Sequence, residues 1–226
     1  MYIPVVSRSS VIMLHIVLAP LLVTMVMGEG CCFPDAWEGV AFMMVGSVKN
    51  KTPHLTKGVV MFHMNYTLGM IVIQGEFLVD GLNKKVNILK DYNKKIKYHI
   101  SDGKCTKNTL ETRIPRCLPE NTTLVENTYL GSGTEKVAVK MYSSNVGGLE
   151  MNFTVTANGC FPIVAILSGI IPNSQVPVMK VYEHSGSTVG IKDPSVFDIP
   201  AICQPAVTMD WDPVSVLHNS DTNMPF

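Results

Sequence analysis

Six cysteines are the residues of this 226-residue chain whose type and spacing most directly suggest chemistry. Cysteine thiols form disulfides or bind zinc, and spacing helps to separate the two cases. The chain has no C-x-x-C pair and no histidine at zinc-finger distance, so the pattern favours disulfides. Cys31 and Cys32 are adjacent in "GEGCCFPDAWEG", and adjacent cysteines pair with each other only in a strained geometry. Six cysteines permit fifteen sets of three bridges, and spacing leaves all of them open.

Catalytic motifs are absent from the sequence. It contains no G-x-S-x-G elbow, no G-x-x-x-x-G-K-[ST] loop, no G-x-G-x-x-G fingerprint and no H-E-x-x-H helix. His184 and Ser185 in "YEHSGS" are the nearest pair of a base and a nucleophile, but adjacent residues of a strand point to opposite faces. We interpret them as exposed turn residues and predict that the protein is not an enzyme.

Acidic residues offer a weak case for calcium. Carboxylates at Asp80, Asp91, Asp102, Asp193 and Asp198 are potential calcium ligands, yet no D-x-[DN]-x-[DN]-G loop occurs. We interpret these residues as solvated turn carboxylates and leave any metal site unassigned.

The first 28 residues have the pattern of a secretory signal peptide. Arg8 precedes an apolar stretch from Val11 to Met27, and small residues at Gly28 and Gly30 offer two cleavage positions. The alternative is a membrane anchor, but the apolar stretch is interrupted and shorter than the roughly 20 residues that span a bilayer. We therefore predict that residues 1–28 are removed and that the protein is secreted, a setting in which disulfides persist.

The charge balance argues against nucleic acid as a partner. Without Arg8, the chain keeps 17 basic residues of its 18, against 18 acidic residues. No basic run or stripe of basic and aromatic residues is present, so no long-range field attracts a polyanion. The length is that of one domain.

Four N-glycosylation sequons agree with secretion. Their asparagines are Asn50, Asn65, Asn121 and Asn152. Asn152 belongs to the alternating segment "LEMNFTVT", where it falls on the polar face of a half-buried strand.

Period-two alternation of apolar and polar residues recurs along the chain and predicts an antiparallel β protein. Turn signals at Asp80-Gly81, Asp102-Gly103, Gly131-Ser-Gly and Gly147-Gly148 separate the alternating runs. Two runs, "MIVIQGEFLV" and "FPIVAILSGII", are apolar on both faces and predict strands that are covered on both sides.

The apolar members of these strands are candidates for the lining of a ligand pocket. We select nine of them: Phe62, Met64, Ile73, Phe77, Val139, Met141, Met151, Phe153 and Val155. The alternative is that they fill an ordinary core, as apolar strand faces usually do. Trp37 is either a ligand-stacking ring or a core residue, and we favour the core.

Five segments, taken in order, resemble landmarks of the ependymin-related proteins. They are "CCFPDAWEG", "VDGLNKKVNIL", "DGKCTKNTL", "NGCFP" and "GIKDPSVFDIPAICQ". The resemblance covers residues 31–204, so we assign residues 29–204 to an ependymin-like β domain and residues 205–226 to a loosely ordered tail.

The resemblance implies a fold of two stacked antiparallel sheets in a half-open barrel, similar to bacterial lipoprotein carriers, with an apolar pocket. It implies bridges from Cys31 to Cys160 and from Cys105 to Cys203. Cys32 and Cys117 have no counterpart in the family pattern, and with the other four cysteines assigned they are expected to form a third bridge. Compared with the family, the segment between Trp37 and Asp80 is longer, and "KGVVMFHMNYT" is expected to supply an extra strand.

Two functions are compatible with the resemblance, both of them non-catalytic. The first is a secreted glycoprotein that binds a lipid-like ligand in its pocket. The second is a calcium-binding extracellular glycoprotein that acts in adhesion to the matrix, with an incidental cavity. The family also implies a homodimer, and its vertebrate members imply lysosomes as an alternative to the extracellular space.

Overall fold

The computed structural model describes residues 30–110, 115–172, 174–204 and 207–208, which form twelve strands and two short 3-10 helices. The proposed signal peptide and nearly all of the proposed tail lie outside these residues. In chain order the strands are β1 (Ala36–Lys49), β2 (Thr52–Asn65), β3 (Met70–Val79), β4 (Leu82–Asp91), β5 (Ile96–Ser101), β6 (Lys104–Thr109), β7 (Thr123–Ser132), β8 (Glu135–Val146), β9 (Leu149–Thr156), β10 (Pro162–Ile171), β11 (Val176–Val189) and β12 (Val207–Thr208). The 3-10 helices are η1 (Pro194–Phe197) and η2 (Ala201–Cys203).

The prediction of an all-β protein is confirmed, and neither helix found in the described residues is long and apolar enough to cross a membrane. Turns at Asp80-Gly81, Asp102-Gly103 and Gly147-Gly148 separate consecutive paired strands, as the sequence predicts. The extra strand expected from "KGVVMFHMNYT" is the second half of β2.

All twelve strands belong to one sheet with the order β12-β6-β5-β4-β3-β2-β1-β11-β10-β9-β8-β7. Strands β1 to β6 form one meander and β7 to β11 another. The two are joined because β1 pairs antiparallel with β2 on one side and with β11 on the other. The expectation of two stacked sheets is therefore not confirmed, since hydrogen bonding is continuous through β1. Within the described residues the end strands β7 and β12 do not pair, so the sheet is not closed.

The inner face of the sheet, defined by Ala41, Met43 and Val45 of β1, carries the main core. These three side chains are 0%, 6% and 2% exposed, whereas Phe42 and Met44 on the outer face are 36% and 37% exposed. Alternate residues of β2, β3, β4, β9, β10 and β11 extend the buried cluster on the inner side. Three residues from outside the strands, Cys31, Phe33 and Leu118, complete it.

The C-terminal segment 191–204 covers the outer face of β3, β4 and β5. Phe197 and Cys203 are buried there against Val72, Leu89 and Tyr98. Both faces are therefore covered at the start of β3, as its apolar run predicts. The same prediction for β10 is wrong at the end of that strand, because nothing in the described chain covers Ile170, which is 51% exposed.

Glu38 anchors the C-terminal segment to β1 and β2. Its Oε2 accepts a hydrogen bond from the Lys192 backbone N at 3.2 Å and lies 3.3 Å from Nδ1 of His63. The Lys192 Nζ is 3.6 Å from Oε1. Glu38 and His63 are only 7% and 5% exposed, so water cannot hydrogen-bond to them freely. These contacts supply the partners that the buried polar groups need.

Three disulfides cross-link the fold: two are the pairs that the resemblance implies, and the third joins the two cysteines that remained. Cys31 joins Cys160, Cys32 joins Cys117, and Cys105 joins Cys203, over sequence separations of 129, 85 and 98 residues. Adjacent cysteines therefore have different partners. The first bridge ties the segment before β1 to the turn between β9 and β10, and the third holds the C-terminal segment against β6.

Gly58 makes room for a core ring. A Cβ atom at this position of β2 would lie 2.7 Å from Cδ1 of Phe77 on β3 and would also meet the backbone carbonyl of Glu76. Gly46 on β1 is the opposite case, because a Cβ there would have no atom within 4 Å.

We expect Gly58→Ala to lower the free energy of unfolding by about 1–3 kcal/mol, since extra atoms in a packed core force the backbone or the ring to move. Gly46→Ala is the matched control and should leave it unchanged or raise it by up to about 1 kcal/mol. Urea unfolding followed by tryptophan fluorescence measures both. Equal losses in the two variants would contradict the assignment of Gly58 to a packed site.

Candidate functional site

An open groove lies at one end of the sheet, where the turns β1–β2, β3–β4 and β10–β11 come together. Its volume is about 680 Å³. We call it the end groove; it is lined by Gly46, Ser47, Val48, Pro53, His54, Leu55, Asp80, Gly169, Pro177, Val178 and Met179. Most of these residues are apolar or glycine, as is usual for sites that bind small apolar molecules.

Gly46 explains why a depression forms there. In the register of the sheet Gly46 lies between Leu55 of β2 and Met179 of β11. Directly opposed residues share a face, so Leu55 and Met179 stand on either side of a position without a side chain. They are 48% and 53% exposed, and they form apolar walls that solvent reaches.

His54 and Asp80 form the polar rim of the end groove. Nδ1 of His54 lies 2.8 Å from Oδ2 of Asp80. The Leu55 backbone N donates to Oδ1 of Asp80 at 3.2 Å. The hydrogen bond with His54, followed by that with Leu55, lowers the pKa of Asp80, so this carboxylate stays charged at neutral pH. The rim can exchange hydrogen bonds with a polar head group while the walls contact an apolar chain.

The nine residues predicted to line a pocket do not line the end groove. Phe62, Phe77, Met151, Phe153 and Val155 lie in the main core, each at most 2% exposed, and Ile73 packs against that core. Met64 is buried in a smaller cluster with Trp37 and Ile71, where the indole of Trp37 meets the ring of Phe161 edge-on at 6.3 Å. At these positions, the alternative of an ordinary core describes the structure better than a pocket does.

Met141 and Val139 point away from the main core, and the prediction that they share a face with Phe153 is wrong. In the β8–β9 register, Met141 is opposite Thr154 and Val139 is opposite Thr156. Phe153 precedes Thr154 and therefore points to the other face. Met141 is 36% exposed, whereas Val139 is buried on its own side. Alternation within one strand cannot fix which face is inward, because that depends on the register with its neighbour.

His184 is not an exposed turn residue, contrary to the interpretation of its sequence. It lies within β11 at 7% exposure, opposite Ala41. Its ring centroid is 5.9 Å from that of Trp37 and 5.7 Å from that of Phe62. Burial lowers its pKa from 6.5 to about 4, because a charged ring would lose its hydration. Ser185 is exposed on the opposite side of the strand, so the two residues do not form a catalytic pair.

Buried lysines are a feature that the sequence does not signal. Lys180 of β11 is fully buried on the inner face, opposite Val45 and Leu167. Lys90 and Lys97 face one another on β4 and β5 at 9% and 5% exposure. Each has interactions within the protein, and Lys180 interrupts an otherwise apolar face.

The four sequon asparagines occupy different parts of the surface. Asn50 lies in the turn between β1 and β2 and Asn121 lies just before β7, both exposed. Asn152 is half-buried on the outer face of β9, where its amide donates to Glu150 Oε1 at 3.2 Å. Asn65, also half-buried, accepts a hydrogen bond from Leu68 N at 2.8 Å, which leaves its amide nitrogen available for a glycan.

The carboxylates considered as potential calcium ligands do not come together. In the part of the chain that the structure describes, no three His, Cys, Asp or Glu side chains are grouped so that they could hold a metal ion. Asp91 instead bonds to Lys94, and Asp193 caps η1 by accepting from Ser195 N at 3.0 Å.

Comparison with known proteins gives one family match. A family model described as ependymin matches residues 80–203, more than half of the chain. No curated protein sequence matches the chain.

Solved structures give only distant similarity. An uncharacterized conserved protein from Thermus thermophilus is similar over 78% of this chain and 91% of its own, with 9% identity and a TM-score of 0.43. The Pseudomonas aeruginosa MucA/MucB complex is similar over 79% of this chain and 61% of its own, with 12% identity and a TM-score of 0.35. Neither similarity is strong enough to support an argument about function.

Protonation of His184 should make the protein less stable in acid. The unfolded chain binds a proton on this residue below pH 6.5, whereas the native chain does so only near pH 4. Unfolding therefore takes up a proton between these values, and the free energy of unfolding should be about 2 kcal/mol lower at about pH 5 than at about pH 7 through this residue. His184→Phe should remove that part of the difference in urea titrations at the two pH values, while His54→Gln, at an exposed ring, should keep it. An unchanged pH dependence in His184→Phe would contradict this assignment.

Proposed function

Since this chain belongs to the ependymin family, we propose that it is a secreted, non-catalytic glycoprotein that binds a lipid-like ligand in the end groove. The observation that carries the proposal is the groove itself. Its volume of about 680 Å³ falls within the range of small-molecule sites. The ligand site is thus assigned to the end of the sheet rather than to its packed interior.

The walls of the end groove suit an acyl chain. Val48, Leu55, Pro177 and Met179 offer apolar surface without hydrogen-bonding groups in their side chains, and burial of each methylene stabilises a complex by roughly 0.8 kcal/mol. Met179 adds a flexible thioether that adapts to chains of different shape.

The rim suits a polar head group. The exposed pair of His54 and Asp80 stands at one side of the apolar walls, with donor and acceptor atoms within reach of solvent. An amphipathic molecule would lay its tail against Leu55 and Met179 and place its head near this pair. Recognition by few polar atoms favours a class of lipids rather than one compound.

Secretion and glycosylation complete the proposal. Three disulfides are typical of an oxidising compartment. The exposed positions of Asn50 and Asn121 and the available amide of Asn65 are compatible with glycans.

Filling the end groove is the direct test. Gly46→Leu should lower retention of palmitate at least about tenfold, since its side chain would enter space that the ligand needs while meeting no protein atom near the Cβ. Gly46→Ala should have a smaller effect. Native mass spectrometry of the secreted protein during stepwise delipidation measures the bound fraction, and thermal unfolding confirms that each variant is folded.

The alternative function gives a different result in the same experiment. Wild-type protein that carries no lipid and self-associates only when calcium is added would favour the adhesion protein. Equal retention of palmitate by the wild type and Gly46→Leu would reject the end groove as the site.

A further inference from the structure

Strand β7 forms one edge of the sheet, and within the described residues no strand pairs with its outer side. Nine of its ten residues are exposed, and Thr128 is half-buried. A bulge lies near Val125, and the segment from Glu126 to Leu130 beyond it pairs with β8 without interruption. Edge strands are often protected from further pairing by lysine or proline, and β7 contains neither. This edge is therefore open to another strand.

A hydrogen bond of β8 identifies the backbone groups of β7 that face outward. The backbone N of Ala157 donates to the C=O of Ala138 at 2.9 Å, so the backbone polar groups of Ala138 point toward β9 and away from β7. Tyr129 is opposite Ala138. In an antiparallel pair of this kind, the N–H and C=O of Tyr129 point to the free edge, and those of Asn127 do the same because the pattern alternates. Both residues can therefore bond to an added strand.

One face of this edge is basic. Lys140 of β8 is opposite Asn127, and both share a face with Tyr129. Lys136 is opposite Gly131 on the same face, and its Nζ is 4.7 Å from the ring centroid of Tyr129. The glutamates of β7 and β8 lie on the other face. The basic face thus carries two lysines and no acidic side chain from these two strands.

The other face of the edge presents an apolar pair. Leu130 and Val137 are opposite one another and are 42% and 52% exposed. Glu126 is opposite Met141 at the far end of the same segment. An added strand would therefore meet positive charge on one face and apolar surface near Leu130 on the other.

We propose that β7 accepts an extended peptide as an additional strand, and that this peptide alternates acidic with apolar residues. Main-chain hydrogen bonds to Asn127 and Tyr129 supply affinity, and the alternate side chains supply selectivity. Every second side chain of the peptide falls on the basic face, and those between fall on the face of Leu130. The inference does not depend on a ligand in the end groove.

The lysines of β8 reach the added strand because the side chains between them are small. Gly131 has none, and Asn127 has a short one. Neighbouring strands are about 4.8 Å apart, so the added strand lies about 10 Å from β8. A lysine extended from one side and a glutamate extended from the other span that distance. Complementary charge then favours acidic peptides, while basic peptides meet like charges.

Charge also argues against a second copy of β7 as the occupant. Two antiparallel β7 strands would be related by a two-fold axis perpendicular to the sheet, and their basic faces would lie on the same side. Lys136 and Lys140 of both copies would then share one surface, and like charges on a shared face are destabilising. An acidic peptide neutralises the same lysines.

A labelled peptide tests this edge in the full secreted protein. The probe is a fluorescent, amidated peptide with the sequence Thr-Glu-Val-Glu-Val-Glu-Thr, and the control peptide has lysine in place of each glutamate. Fluorescence anisotropy should show saturable binding of the acidic peptide. Its dissociation constant should be at least about tenfold lower than that of the basic peptide.

Variants of β7 and β8 locate the contact. Tyr129→Pro removes an N–H that faces the free edge, a position where an edge strand tolerates proline, and should weaken binding of the acidic peptide at least about tenfold. Tyr129→Thr is the matched control, since it keeps the N–H, and should retain binding. Joint replacement by Lys136→Glu and Lys140→Glu should reverse the preference between the two peptides. Thermal unfolding checks that each variant is folded.

The outcomes separate this inference from the proposed function. Three results would overturn the peptide site: no saturable binding by the wild type, equal affinity for the two peptides, or undiminished binding by Tyr129→Pro. Self-association of the wild type that Tyr129→Pro abolishes, without peptide binding, would also overturn it in favour of a second copy. Peptide binding by a protein that retains no palmitate would contradict the proposed function alone.

Discussion

The pairing of β1 with β11 is the interaction on which the rest of the structure depends. A single meander can bury one of its faces only if another element covers that face, and its two edge strands remain unpaired. Pairing of β1 with β11 removes one edge from each and aligns the inner faces, so that Ala41, Met43 and Val45 join the core residues of β9 and β10. The same pairing creates the outer face on which Gly46, Leu55 and Met179 form the end groove. The core and the end groove therefore lie on opposite faces of the same pair of strands.

Local patterns predicted much of this fold, because hairpins are local. Two-residue turns containing glycine and period-two alternation located β3 to β6 and β8 to β9. What local patterns could not supply was the relation between distant strands. Which side of β8 faces inward depends on its register with β9. The inward orientation predicted for Met141 is therefore wrong. The assignment of His184 to a turn failed because β11 continues beyond it to Val189, held by residues of β1 that are more than a hundred positions away.

The sequence does not predict the end groove, because the groove depends on the position of a glycine rather than on large apolar residues. Large apolar side chains fill a protein interior as readily as they line a pocket, and Phe62, Phe77 and Phe153 fill the main core. The groove results from a side chain that is missing. A glycine inside an apolar strand, as in "MMVGSVK", was the available signal, since glycine there weakens the strand unless a close approach or an open site requires it. The burial of Lys180 and His184 is not predicted either, because nothing in the local sequence indicates that these polar side chains face the core.

The disulfides leave the groove end of the molecule without covalent ties. None of the six bonded cysteines belongs to the turns β1–β2, β3–β4 or β10–β11. Insertions and deletions in those three turns would change the mouth of the groove while every cross-link kept its geometry. A scaffold of this kind can thus diversify the shape of its groove by altering loop length alone, with oxidative folding left intact.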